Sequence, residues 1–211
     1  MTEGKVSLVE DDEAVRDAVS LVLRTAGLDV QAYPTAEAFL DTYAPVDAPE
    51  VFVVDVRLPK MSGLDLQNRL AKADCDVPVI LITGHGDVPM ATQALKTGAL
   101  DFIQKPIDDK VLLASIAQGM QRASASKGRA ARLKDLARRL QSLTKREREV
   151  MNLVVAGTSN KCVAAELSIS PRTVEVYRKR VMEKMRVRTL PDLVRIAETI
   201  RETQGPDFLS V

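Results

Sequence analysis

The chain has no apolar run near the roughly 20 residues that a membrane-crossing helix needs. No basic-then-apolar segment of the kind that directs export opens it. Both absences argue for a cytoplasmic protein with no membrane partner. There are only two cysteines in 211 residues, Cys75 and Cys162, far apart and in regions of different character. That excludes a disulfide framework and fits a reducing compartment. Cys162 is expected to be a buried structural thiol rather than a redox switch. No GxxxxGK[ST] run occurs, which excludes a P-loop nucleotide site.

Net charge is only +1, but it is unevenly spread. Residues 1–124 carry 11 Lys+Arg against 19 Asp+Glu, a net of −8, and the remainder carries 19 against 10, a net of +9. An acidic front half joined to a basic back half predicts two domains, the second with a polyanion as partner.

In the front half, short Val- and Ile-rich runs predict strands at 5–9, 29–33, 51–55, 79–83 and 101–104. Helical patterns lie between them at about 13–26, 35–43, 63–73, 88–97 and 108–122. In the first, Val15, Val19 and Val22 share a face with Ala18 and Leu23 beside it, leaving Arg16, Asp17 and Arg24 to water. Gly27 stands where a helix C-terminus tolerates positive φ. Five alternating units predict a parallel sheet covered on both faces, the doubly wound α/β class.

Four of the runs end abruptly in polar residues: Glu10-Asp11-Asp12, Asp55, Thr83 and Lys105. In a doubly wound sheet the carboxyl ends of the strands share one edge, where ligands bind. Clustered carboxylates repel one another, and one would ordinarily take up a proton. A hard, oxygen-loving cation relieves that repulsion and keeps an aspartate ionised as a nucleophile. A neighbouring lysine stabilises charge on a transferring phosphoryl group.

The segments VEDDEAVR, VVDVRLPKMSG, ITGHGD and DFIQKP, taken together, resemble the receiver domain of two-component response regulators across about residues 4–122. The resemblance implies a flavodoxin- or CheY-like five-stranded sheet and makes Asp55 the phosphoacceptor. It places Glu10 and Asp11, with Asp55 and the backbone carbonyl of Arg57, around Mg²⁺ or Mn²⁺, Glu10 through water. Asp12 is then an N-cap of the first helix. Thr83 would bond the phosphoryl oxygen and Lys105 would pair with it. Thr83 and Phe102 would form the switch, His85 would influence the lifetime of the acyl phosphate, and Pro106 would be cis. The donor would be a sensor histidine kinase. A hydrolase of the haloacid dehalogenase kind needs a second Asp two positions after the nucleophile; Arg57 stands there and cannot release a proton.

Residues 124–142 are Ala-, Arg- and Lys-rich without strand signals, and read as a partly helical linker with a break at Gly128 and a stripe of Leu133, Leu136, Ala137 and Leu140. From 143 to 204 the periodicity is purely helical. Thr144 and Glu147 form a capping box, Gly157 ends the first helix, and the second covers about 159–167. Ser170-Pro171 opens the third, which runs to about Met185, and a fourth covers 190–201. Residues 205–211 form a tail.

The pieces LTKRE, GTSNK and SPRTVEVYRKRV resemble the four-helix helix-turn-helix domain of the LuxR/NarL group, and the whole chain resembles the FixJ branch of response regulators. In the third helix Val174, Tyr177, Val181 and Met185 form an apolar stripe. Arg172, Glu175, Val176 and Lys179 lie at i, i+3, i+4, i+7 on another face, as a helix in a major groove requires. Lys179 suits a guanine edge, Glu175 a cytosine amine and Val176 a thymine methyl. Lys161, Arg172, Arg178 and Arg180 suit phosphates, and Thr173 lies beside them. Relatives often carry a basic residue where Glu175 stands.

The expected function is a phosphorylation-controlled transcription factor rather than an enzyme. It takes a phosphoryl group, loses it by hydrolysis, and acts on double-stranded DNA and RNA polymerase as a homodimer when phosphorylated. The dimer face implied by the resemblance draws on Met90, Ala91, Ala94 and Leu95, with Lys96, Asp101 and Asp109 as cross-pairs. The alternative, favoured by Glu175 alone, is a protein–protein switch without sequence-specific DNA binding.

Overall fold

The computed structural model describes residues 4–44, 48–73, 75–84 and 88–204; for residues 88–90, 203 and 204 it describes the backbone only. Five strands, β1 (Lys5–Val9), β2 (Asp29–Tyr33), β3 (Glu50–Asp55), β4 (Val79–Thr83) and β5 (Asp101–Gln104), pair in parallel in the order β2-β1-β3-β4-β5. Helices α1 (Glu13–Thr25), α2 (Ala36–Thr42), α3 (Gly63–Lys72), α4 (Val88–Lys96) and α5 (Asp109–Gln141) alternate with them. Four further helices follow: α6 (Lys145–Val155), α7 (Asn160–Glu166), α8 (Pro171–Met185) and α9 (Leu190–Gln204). The chain divides into two compact units, Met1–Gly128 and Arg129–Val211. No described helix is long and apolar enough to cross a membrane.

The central strands are near-continuous apolar runs because the sheet is covered on both faces. One face packs Val6, Leu8, Val53, Ile80 and Ile82 with Val19 and Leu23 of α1 and Leu112 and Ile116 of α5. The other packs Val9, Phe52, Val54 and Leu81 with Phe39 of α2 and Leu66 of α3. Each fully buried aliphatic of this kind contributes about 1.5–3 kcal/mol. Tyr33, Phe39, Tyr43 and Phe52 form a chain of ring contacts at 5.0–5.2 Å on that second face. The third strand starts one residue earlier than the apolar run suggests. Glu50 is buried there because Ser7 Oγ and Tyr43 Oη donate to it at 2.9 and 3.1 Å.

Side-chain caps set the helix starts. Asp12, Thr35, Ser62, Thr144, Ser159 and Ser170 each accept from an amide three residues on. The Thr144–Glu147 capping box is reciprocal, as its spacing predicts. Gly27 and Gly157 take φ of 84° and 86° after α1 and α6.

Three expectations need correction. Helix α5 does not break at Gly128 but runs unbroken to Gln141. Glycine costs a helix only about 1 kcal/mol relative to alanine, and tertiary bonds hold this stretch: Ser126 Oγ donates to Asp76, and Lys127 Nζ donates to the Ala48 carbonyl at 2.6 Å. Cys162 is exposed rather than buried, because Val163 and Ala164 supply the buried side of α7. Ala18 is exposed as well, the buried side of α1 being Val19, Ser20 and Leu23.

Candidate phosphoryl-acceptor site and nucleic-acid interface

The sheet brings three carboxylates to one edge. Glu10 follows β1, Asp55 ends β3, and the β1–β3 pairing sets Val9 beside Val54. Oxygens of Glu10, Asp11 and Asp55 all lie within 4.8 Å of one another. Asp12 is not among them; its side chain accepts from the Val15 amide at 3.1 Å and caps α1. Glu10 and Asp55 are buried, Asp11 is exposed. A set of three hard oxygen donors with one open flank fits Mg²⁺ or Mn²⁺.

Lys105 enters from β5. Its Nζ lies 2.8 Å from Glu10 Oε2 and also contacts Asp55 Oδ2. The Lys105 amide donates to the Thr83 carbonyl at 2.7 Å, which ties the residue to the end of β4, and the Lys105–Pro106 peptide is cis. The Arg57 amide donates to Asp55 Oδ1 at 2.8 Å. Burial pushes Glu10 up to about 7, the Lys105 bond opposes this, and the Asp55 charge adds to it. Burial alone would lower Lys105, but its bonds to Asp55 and Glu10 raise it overall. The pocket thus holds more negative charge than one ammonium satisfies.

Thr83 is fully buried at the end of β4, one residue beyond Ile82, the partner of Asp55. Phe102 is half-buried beside Leu81 and packs into the second core face. His85 lies outside the described residues. Sequence reading missed two residues here. Arg16 was expected in water but is half-buried, its Nη1 donating to the carbonyls of Glu10 at 2.9 Å and Asp11 at 3.1 Å. Gly63 opens α3 where any Cβ would stand 2.2 Å from the Asp55 carbonyl oxygen. A glycine eight residues after an aspartate carries no signal of that approach in one sequence.

In the second unit α8 lays Val174, Val181 and Met185 into the core, with Tyr177 half-buried. Arg172, Glu175, Lys179 and Arg180 are exposed, as is Lys161 on α7, and Val176 is 46% exposed. Arg178 is half-buried and donates to Asn160 Oδ1 at 2.6 Å, joining α8 to the start of α7. Thr173 is half-buried and belongs to the α8 cap, its amide donating to Ser170 Oγ at 3.1 Å.

The family model for the response regulator receiver domain matches residues 6–117, and that for bacterial regulatory proteins of the luxR family matches 141–197. The chain belongs to the response regulators. It is 45% identical over 197 residues to the transcriptional regulatory protein FixJ of Rhizobium meliloti (strain 1021), covering 93% of this chain and 96% of that protein. It is 41% identical to the response regulator protein TmoT of Ectopseudomonas mendocina, covering 95% and 91%. Among solved structures it resembles the response regulator StyR with a TM-score of 0.85 at 37% identity, over 93% of this chain and 98% of that one. Full-length FixJ from B. japonicum matches with a TM-score of 0.58 at 41% identity, over 94% and 97%. The regulator is a phosphorylation-controlled transcription regulator.

Proposed function

We propose that Asp55 accepts the phosphoryl group, from a phosphohistidine of a partner sensor histidine kinase, in the cytoplasm. An Asp55 oxygen attacks phosphorus, the bond from phosphorus to the imidazole nitrogen breaks with its electron pair leaving on nitrogen, and an acyl phosphate remains. One observation supports this reading above the others: the three carboxylates within 4.8 Å, with Lys105 set against two of them. Glu10, Asp11, Asp55 and the Arg57 carbonyl would hold Mg²⁺ or Mn²⁺, which when bound supplies charge neutralisation for the incoming anion. Lys105, in contact with Asp55, meets the phosphoryl oxygens, Thr83 bonds one of them, and Phe102 follows Thr83 into the core. The product is lost by hydrolysis.

On the output side, Lys179, Glu175 and Val176 read base edges while Lys161, Arg172, Arg178 and Arg180 meet phosphates, with Thr173 beside them. Glu175 alone favours the reading without sequence-specific DNA binding. It shares its face with the exposed cations Arg172 and Lys179, and the luxR-family match covers that helix, which favours DNA.

Phosphorylation promotes a homodimer that engages two half-sites and meets RNA polymerase at the promoter. Of the expected dimer face, Leu95 is 51% exposed and Val111 on α5 adds a 48% exposed apolar group. Ala94 is fully buried in the receiver core and cannot serve. Asp101 is engaged internally, with Ser115 Oγ and the Phe102 amide. The Met90 side chain lies outside the described residues.

The test is labelling by acetyl phosphate in Mg²⁺, with mass and promoter binding followed in parallel. Wild type should take up label, gain dimer mass and bind DNA more tightly with a steep salt dependence. Asp55→Asn should do none of these. Undiminished labelling of that variant would remove Asp55 from its role.

A further inference from the structure

Arg16 sits on α1, one turn into the helix, and its guanidinium turns back toward the loop it has just left. A single Nη1 donates to two successive carbonyls, those of Glu10 at 2.9 Å and Asp11 at 3.1 Å. These are the backbone groups of two of the three residues whose carboxylates converge. The loop is pinned on either side as well. The Glu10 amide donates to the Tyr33 carbonyl at 3.1 Å, and Asp12 caps α1 through the Val15 amide.

Oxygens of three carboxyl groups lie within 4.8 Å of one another, and negative charges gathered so closely repel. Asp55 ends a central strand and its carboxylate is further held by the Arg57 amide, so it has little room to retreat. Asp11, exposed on the β1–α1 loop, is the member of the cluster with room to move toward water. A cation site that must be reassembled at each binding event is weaker by the cost of reassembly. A guanidinium presents fixed donors in a plane, whereas an ammonium on a flexible stem is a point charge.

We propose that Arg16 is a positioning residue for the divalent-cation site: by bonding both carbonyls it holds Glu10 and Asp11 in the converged geometry before the ion arrives. It touches neither the ion nor the phosphoryl group. This rests on the reading above that the carboxylate cluster takes Mg²⁺, and makes a separate claim about what sets its affinity.

The experiment uses the full chain with Arg16→Lys and Arg16→Gln. Mg²⁺ affinity is measured by calorimetry without any phosphodonor, the Mg²⁺ dependence of acetyl phosphate labelling gives the kinetic half-saturation and the plateau, and metal-free melting reports the fold. Both variants should raise the Mg²⁺ dissociation constant and the half-saturation by about tenfold. The labelling plateau at saturating Mg²⁺ and the metal-free melting temperature should stay close to wild type. Unchanged Mg²⁺ affinity in both variants overturns the proposal, as does a lost plateau that added Mg²⁺ does not restore. Parallel loss of melting temperature in both variants also overturns it, since Arg16 would then be a structural residue. If wild type itself binds no Mg²⁺, the cation reading of the cluster fails and this proposal with it.

Discussion

The Lys105 ammonium lies 2.8 Å from the Glu10 carboxylate and contacts Asp55 with the same head group, so residues 50 and 95 positions away in sequence share one counterion. Lys105→Ala should slow acyl phosphate formation tenfold or more, at about 1.4 kcal/mol per decade, even when Mg²⁺ is saturating. Asp11→Ala should behave differently: its slow labelling should resemble wild type stripped of metal. Kinetics with acetyl phosphate across a Mg²⁺ series separate the two. A wild-type rate for Asp11→Ala would mean that Asp11 is not a metal ligand and that the acidic pair is misregistered.

Gly63 is required by packing rather than by backbone angle. A methyl there would meet the Asp55 carbonyl oxygen at 2.2 Å and a Val54 methyl at 3.0 Å. Gly63→Ala must push α3 away from β3, at a cost of about 1–3 kcal/mol, and should slow labelling because the displaced atom belongs to the phosphoacceptor. Thermal melting and labelling kinetics check both halves. Unaltered melting would show that the start of α3 shifts freely.

On the recognition helix, Lys179 and Arg178 are neighbours with different surroundings. Lys179 is exposed; Arg178 is half-buried and bonded to Asn160 at 2.6 Å. Lys179→Ala should relax specificity at one base position, costing about 1–3 kcal/mol there. Arg178→Ala should weaken all sequences together, and Asn160→Ala should reproduce it, since the bond orients α8 against α7. Binding to a set of single-base operator variants distinguishes these. Opposite phenotypes would mean that the reading face is rotated.

Glu147 offers a pH test away from the phosphorylation pocket. It is 3% exposed, and Lys184 Nζ donates to it at 2.6 Å. Burial alone would raise its pKa, but Lys184 and the Thr144 cap bring it below the ordinary carboxylate value. The folded form therefore binds fewer protons than the unfolded one in acid. The stabilisation is complete above the unfolded value, near 4.5, and disappears as pH falls through the lowered folded value. Glu147→Gln should flatten the acid limb of melting temperature against pH. Lys184→Met, which strands the buried carboxylate, should cost about 1–3 kcal/mol near neutrality. An acid limb in Glu147→Gln as steep as in wild type would exclude this pair as its source.

The order of residues by itself determined the five strands, because short Val- and Ile-rich runs between helical patterns admit few other readings, and the helix starts, because Thr144, Ser170 and Asp12 act on amides three positions away. It also determined which side of α8 is buried, and it carried Asp55, Glu10, Asp11, Thr83 and Lys105 as isolated polar ends of apolar runs. Tertiary structure decided what depends on distance through space. Arg16 reads as a solvent-facing position on a helical wheel, yet it bonds the acidic loop, because the helix start folds the chain back on itself. Ala94 looks like a surface residue on α4 and is core. Arg178 reads as a charge on the outer face of α8, and its bond to Asn160 of α7 shows only in the fold. Gly128 looks like a break, but Ser126 and Lys127 fasten the helix around it. Local periodicity cannot report such facts: a propensity of about a kilocalorie or less per residue yields to bonds formed with groups outside the helix.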